Sequence, residues 1–558
     1  MKAMLLISTL KSKCMRNKEL IYAIIVISIY LIIFRNLLLV NIHVITEVPS
    51  YFSIGSLGVT FLGPGNYLYF LIYVLGGGNG EKFLYIFPFI LGSLGFHFLA
   101  KQFSNNFIVK YIAPFFFMLN PGSSSILITN PEIIFDYSLL PFIFYFSYKI
   151  YKKFNLIDFL YLTGLLIIGQ AIYFEMFFIA FIFQFPLILF AISSKIKEFP
   201  KFLAYIIAAD SMAFISEIGV EIGSYITASS IGAAQYKFGY YLYGNALFFL
   251  ILSLILASWS AVMKRNRISI SIVATASLLL FITTFFSNIP VNVPLIGDLL
   301  LTLTTYEQKI ILFTIGLLLL SFIFINKKDY MGTFLLLLVV IAGTLAPSYF
   351  PLLNNTYDLL NLKSSAYYDV YPQWSFTIDK YILDHQGIYT EGVGNPCNST
   401  LQGLPYLINI SNKYEPHYYV KYVVSQYHLT NENLSLMFHD HLYIYKNDNY
   451  KGLTVSPNTK PLNFTFKNYE ITVYGNYSKA IIFIPYSQFW TNAKNYQGFL
   501  EINMKNGIGH AYLNLIIPEM LFYISLIPVI IEVVLLIYKK LSNILIKVFR
   551  YSLNRNNH

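Results

Sequence analysis

LIYAIIVISIYLIIFRNLLLV, Leu20 to Val40, decides the class of the chain. Arg35 is its only charged residue, and Lys11, Lys13, Arg16 and Lys18 precede it. A helix crossing a hydrocarbon core about 30 Å thick needs about 20 such residues. The basic flank puts the N-terminus in the cytoplasm. The basic-then-apolar order is that of a signal peptide, but this run is long and no small-residue cleavage site follows. It therefore reads as an uncleaved first helix.

The segment after it, NIHVITEVPSYFSIGSLGVTFLGPGNYLYFLIYVLGGGNGEK, Asn41 to Lys82, is too long for a hairpin and too apolar for a water-exposed loop. Its acidic residues are Glu47 and Glu81. It reads as a large re-entrant or interfacial loop on the outer face, and as the first place to look for chemistry.

Working outward, the pattern repeats. Apolar spans are expected over 83–100, 107–119, 136–148, 157–173, 177–192, 202–218, 246–262, 268–286, 310–325 and 331–346, and a last one over 513–537. Lys101, Lys149, Lys152, Lys153, Lys195, Lys197, Lys201, Lys264, Arg265, Arg267, Lys327, Lys328, Lys539 and Lys540 stand at alternate ends. That bias assigns those ends to the cytoplasm. The expected fold class is a polytopic α-helical membrane protein of about 12 helices with both termini inside. Charged residues make up 12% of the chain and mean hydropathy is +0.59, which excludes a soluble globular protein. The net charge of +11 sits in these juxtamembrane clusters and so does not indicate nucleic acid. Cys14 and Cys397 fall on opposite sides of this topology, which excludes a disulfide between them.

Three domains follow. Residues 1–346 form the transmembrane domain. Residues 347–510 are polar, rich in Tyr, Asn and Ser, and broken into short β-type runs such as Tyr419–Ser425, Leu442–Tyr445 and Ala480–Pro485. They are expected to form an extracytoplasmic β-rich domain. Residues 511–558 form the last span and a basic amphipathic tail. N-x-S/T sequons at Asn354, Asn398, Asn409, Asn433, Asn463 and Asn476 all fall in the middle domain, as possible glycosylation sites. A polar segment rich in Asn and Ser also produces such sequons by composition.

Several segments carry a family resemblance. In the middle domain they are TLQGLPYLINI (Thr400–Ile410), VKYVVSQYHL (Val420–Leu429), LMFHDHLYIYKNDNYKGLTVS (Leu436–Ser456) and IIFIPYSQFWTNAKNYQGFLEINMKNGIGHAYLNLIIP (Ile481–Pro518). Nearer the N-terminus they are FLYIFPFILGSLGFHFLAKQF (Phe83–Phe103), IAPFFFMLNPGSSS (Ile112–Ser125) and IFDYSLLPFIFYF (Ile134–Phe146). Together these resemble YfhO-like membrane proteins of the GT-C superfamily of polyprenyl-phosphate-sugar-dependent glycosyltransferases. The resemblance implies a GT-C-like fold at the cell membrane. It also implies sugar transfer from a polyprenyl-phosphate donor to an envelope glycan, glycolipid or glycoprotein. The paired acidic motif usual in the first outer loop of that superfamily is absent here, as is a WWDYG-type motif. A non-catalytic protein of the same fold, serving as transporter, flippase accessory or glycan-binding scaffold, is the alternative.

Such a transfer needs a carboxylate to take the acceptor proton and a cation (Lys, Arg or a bound divalent metal) to meet the departing phosphate. Glu47, Asp136 and Glu175 are the candidate carboxylates, against structural roles as interfacial anchors or helix ends. Lys309 and Lys237 are the candidate phosphate cations, against simple snorkelling. Asp210 lies deeper in its span and is expected to pair within the bundle. His43 stands near Glu47, and His439 and His441 stand two apart in a β-type run, a spacing compatible with zinc. A structural role is the simpler reading of all three, and no metal site is assigned. GGGNGEK (Gly76–Lys82) lacks the GK[ST] ending of a phosphate loop and reads as a turn.

Overall fold

A computed structural model describes residues 2–35, 38, 43–44, 78–120, 122–123, 131–172, 176–194, 196–219, 245–285, 307–344, 370–371, 390–393, 406–409, 421–425, 428–439, 443–452, 454–467, 470–486, 489–497, 499–514 and 516–555. Helices take the apolar segments: α1 (Lys2–Ile33), α2 (Gly78–Phe103), α3 (Phe107–Tyr111), α4 (Ala113–Met118), α5 (Pro131–Lys152), α6 (Leu156–Ile172) and α7 (Met176–Ser194). They continue with α8 (Phe199–Ser216), α9 (Asn245–Lys264), α10 (Arg267–Phe285), α11 (Glu307–Ser321), α12 (Tyr330–Thr344) and α13 (Ile516–Arg555). Among the described residues, four helices are long and apolar enough to cross a membrane, over Tyr85–Phe103, Glu132–Lys152, Phe199–Ser216 and Glu519–Lys539. Further apolar helices are shorter, 10–17 residues.

The third apolar segment is not one helix. It breaks at Ile112 into α3 and α4, with Pro114 in the first turn of α4. Proline disfavours helical backbone at the residue before it and supplies no N–H, so a helix boundary falls here naturally. The last helix runs well past the expected end, as one element through Arg555.

One large apolar core holds the helices together, with Phe96, Phe117, Phe144, Phe183 and Phe313 fully buried in it. At one end the turns that follow α2, α5, α7, α9 and α11 are tied to one another. Ser104 donates to the Ile325 carbonyl, and Asn106 Nδ2 donates to Thr333 Oγ1 at 2.6 Å. Lys264 pairs with Asp329 at 2.8 Å, and Tyr151 bonds to Ser194 at 2.8 Å. Phe154 stacks on Tyr205. Burial raises the Asp329 carboxyl, but the Lys264 ammonium and the Gly332 N–H outweigh it, so its pKa lies below the ordinary aspartate value. Glu19 of α1 joins the same end by a hydrogen bond with His97 and an ion pair with Lys101 of α2. This basic end is therefore built as a plate, with each helix turn bonded to a neighbour.

Asn106 is the clearest rivet in that plate. Its Oδ1 caps α3 by accepting from the Ile108 and Val109 amides, while its Nδ2 reaches α12. Asn106→Ala removes both and is expected to lower stability by about 1–2 kcal/mol. Thermal unfolding of the two proteins in the same detergent measures it.

The β-region is layered. One sheet runs β4 (Tyr406–Asn409), β3 (Thr390–Val393), β5 (Tyr422–Ser425), β7 (Tyr443–Asn447), β6 (Leu434–His439), with β3 parallel to β4 and β5. A second runs β13 (Ala493–Tyr496), β14 (Phe499–Asn503), β11 (Lys479–Pro485), β8 (Thr454–Val455). A third runs β12 (Trp490–Thr491), β15 (Ile508–Leu513), β10 (Glu470–Tyr474), β9 (Asn463–Lys467). The middle sheet explains why Ala480–Ile484 is a continuous apolar run. Ile481 and Phe483 pack with Val423 and Tyr445 of the first sheet, while Ala480, Ile482 and Ile484 pack with Ile471 and Val473 of the third. A strand buried on both faces has no polar side to alternate. β14 and β15 are joined by a tight turn with positive φ at Asn506 (53°) and Gly507 (82°), the backbone that a two-residue hairpin requires.

Candidate functional site

Polar residues are also buried at the opposite end of the helices. Asn120, Ser123 and Asp136 are wholly buried there, and Lys309 is 2% exposed. Their positions follow from local sequence. Asn120-Pro121-Gly122 ends α4, because proline cannot continue the helix. Asn120 Nδ2 donates to the Phe117 carbonyl at 2.7 Å and to Tyr137 Oη at 3.4 Å, and Ser123 N–H donates to Asn120 Oδ1 at 3.1 Å. The turn is thus bonded to α5 through Tyr137, whose ring stacks on Phe117 at 4.3 Å.

The same turn is pressed onto α11. A Cβ at Gly122 would lie 2.5 Å from the Leu312 backbone nitrogen, so only glycine fits there. Lower on α11, Gly316 makes room for the Tyr137 ring, since a Cβ there would lie 2.8 Å from Tyr137 Oη. These contacts place Asp136, next to Tyr137 on α5, and Lys309, one turn before Leu312 on α11, at the same end of one neighbourhood. Two charges removed from water cost several kcal/mol each unless something compensates them, so buried charges in a membrane domain are candidates for function.

His43-Val44 forms strand β1, antiparallel to β2 (Val370–Tyr371), which couples the stretch after α1 to the chain after α12. At the start of α2, Lys82 Nζ donates to the Leu38 carbonyl at 3.2 Å. His43 therefore takes part in strand pairing.

Of the sequence candidates, Asp136 and Lys309 are buried on α5 and α11, the two helices that the 120–123 turn meets. Glu47, Glu175 and Lys237 lie outside the described residues, as do Asn354 and Asn398. Asn409 ends β4. Asn433, Asn463 and Asn476 are exposed. Asp210 accepts from Gln184 Nε2 of α7 at 3.4 Å, the expected pairing within the bundle. His439 is the last residue of β6, with its ring stacked 4.1 Å from that of Tyr443, and His441 lies outside the described residues. Among the described residues no group of three His, Cys, Asp or Glu could hold a metal ion.

Two polar features escaped the sequence reading. His97 is buried in α2 with Nδ1 2.7 Å from the Lys110 carbonyl and Nε2 2.9 Å from Glu19. Glu532 is buried in α13. Its signal was present as a lone carboxylate inside LIPVIIEVVLLIY (Leu526–Tyr538), masked by the hydrophobicity of its surroundings.

No protein-family model and no curated protein matches the sequence. Solved structures to which the chain is similar include the single-particle cryo-EM structure of the arabinofuranosyltransferase AftD from mycobacteria, with a TM-score of 0.46 and 11% identity. The match covers 89% of this chain and 40% of that one, so the chain spans about two fifths of that enzyme's length. A likeness at this score carries no argument about activity. The YfhO-like resemblance rests on the sequence segments alone.

Proposed function

We propose that the chain is a GT-C-type membrane glycosyltransferase of the cell membrane. It would work on the outer face, moving a sugar from a polyprenyl-phosphate donor held in the bilayer to an envelope glycan, glycolipid or glycoprotein. The acceptor hydroxyl oxygen attacks the anomeric carbon. The bond from that carbon to the phosphate oxygen breaks, the hydroxyl proton passes to a carboxylate, and polyprenyl phosphate leaves. Asp136 is the proposed base, with Glu47 and Glu175 as the other carboxylates for this role. Lys309 is the proposed counter-charge to the departing phosphate, aided by Lys237 or a divalent metal. The observation that supports this reading is the burial of Asp136 and Lys309 on α5 and α11, the helices that meet the 120–123 turn through Tyr137 and Leu312, at the end opposite the basic plate.

The full burial of both groups also favours a second reading, in which they hold α5 and α11 together in a non-catalytic scaffold. Membranes carrying the wild type or Lys309→Met, supplied with a labelled polyprenyl-phosphate sugar, separate the two. The transferase reading expects label in acceptor from the wild type and a loss of about 10²–10³-fold in the variant, the usual cost of one removed electrostatic stabiliser. Equal transfer by both removes Lys309 from the mechanism. Absence of transfer from every polyprenyl-linked donor offered favours the scaffold.

A further inference from the structure

The third sheet has one face in the core and one in the open. Ile471 and Val473 of β10 and Ala511 of β15 are buried, and the residues that alternate with them point to the other side. The register sets that open side out in rows. Asn463 of β9 stands opposite Tyr474 of β10, which stands opposite Ile508 of β15. Thr465, Thr472 and His510 form the next row. Tyr474 is 44% exposed and Ile508 41%, so two large, largely apolar side chains lie side by side on an open face. Further along, His510 Nδ1 lies 2.7 Å from Glu470 Oε1, so the polar groups there serve one another.

Asn463-Phe464-Thr465 is an N-x-T sequon, and the strand sorts its three residues. Phe464 turns inward and packs on the core of the domain, while Asn463 and Thr465 are exposed on the open face. Residues directly opposite each other in an antiparallel pair have Cβ atoms about 4.5–5.5 Å apart. A sugar joined to Asn463 Nδ2 therefore starts within reach of the Tyr474 ring. The C–H face of a pyranose is apolar and suits the negative face of an aromatic ring. Asn433 and Asn476 are exposed too, but they stand outside the paired strands, before β6 and after β10.

We propose that Asn463 is an N-glycosylation site whose glycan lies across the open face of the third sheet, its first sugar stacked on Tyr474 and the next passing over Ile508. In the attachment, the bond from Asn463 Nδ2 to the anomeric carbon forms as the bond from that carbon to a phosphate oxygen breaks. One amide proton is lost, and the phosphate leaves with the bonding pair. The donor is a lipid-phosphate-linked sugar, and another enzyme of the cell carries out the transfer. Once seated, the glycan shields an exposed apolar pair that would otherwise attract other chains.

The full chain is isolated from the membranes of its own cells and mapped by glycopeptide mass spectrometry. The expected result is a glycan on the Asn463 peptide in most molecules. It is lost in Asn463→Gln and in Thr465→Ala, which breaks the sequon but keeps the asparagine. Nitration by tetranitromethane reads the seating. Tyr474 is shielded in the wild type and reacts several-fold more in both variants, while Tyr496, 38% exposed on the middle sheet, reacts equally in all three. An unmodified Asn463, or equal nitration of Tyr474 with and without the glycan, overturns the proposal. The proposal rests on the outer-face placement in the transferase reading, and an impermeant amine reagent applied to intact cells separates the two failures. Labelling of the exposed Lys494 with Asn463 unmodified overturns this proposal alone. Labelling of Lys494 only after lysis overturns the outer placement as well.

Discussion

If the chain is the proposed transferase with Asp136 as its base, Asp136→Asn is expected to lower sugar transfer by about 10²–10⁴-fold, the range for removal of a general base. Asparagine keeps the size of the side chain and can stay at a wholly buried position, so the loss is chemical. The useful comparison is of kcat with the KM for the donor. A base acts on the acceptor proton in the transition state, so kcat falls while donor KM stays near the wild-type value. If Asp136 served only to hold α5 against its neighbours, Asp136→Asn would shift the unfolding midpoint and leave kcat of the folded fraction intact. Glu47→Gln, assayed beside it, tests the other carboxylate. Full transfer by Asp136→Asn with loss in Glu47→Gln would move the base to the first connecting segment.

The second large effect is on stability. Gly122→Ala is expected to cost about 1–3 kcal/mol by overpacking. A Cβ at Gly122 would meet the backbone nitrogen and Cα of Leu312 at 2.5 and 2.6 Å, and a helix backbone cannot step aside as a side-chain tip can. The turn would have to lift off α11, taking with it the Asn120 contact to Tyr137 that orders the start of α5. Gly164→Ala is the control, because its Cβ would meet only the Glu532 carboxyl at 3.4–4.0 Å, an ordinary contact. Alanine there should cost little, or gain up to about 1 kcal/mol from helix propensity. Unfolding both variants in one detergent gives the comparison. Equal midpoints would mean that the 120–123 turn is not wedged against α11.

The helices were legible because their signal is additive: each apolar run is long, and each basic end repeats the same bias. β11 was legible for a related reason, since burial on both faces leaves Ala480–Ile484 continuously apolar. The break at Ile112 had a local sign in Pro114, but the window that detects a span averages over it. Asp136 and Lys309 were legible as charges near helix ends. Their burial was not, because it arises from packing between helices distant in sequence, of which the close approaches of Gly122 to Leu312 and of Gly316 to Tyr137 are examples. Glu532 was missed because one carboxylate barely changes the mean of an apolar window.

In the proposed function Asp136 and Lys309 serve the cleavage of a lipid-linked donor. Release of free polyprenyl phosphate by the purified chain in vesicles tests it most directly, with labelled donor and acceptor present. Release in step with sugar transfer is expected for the wild type, and loss of both for the Asp136→Asn, Lys309→Met double variant when it folds as the wild type does. Release by the double variant at the wild-type rate would contradict it.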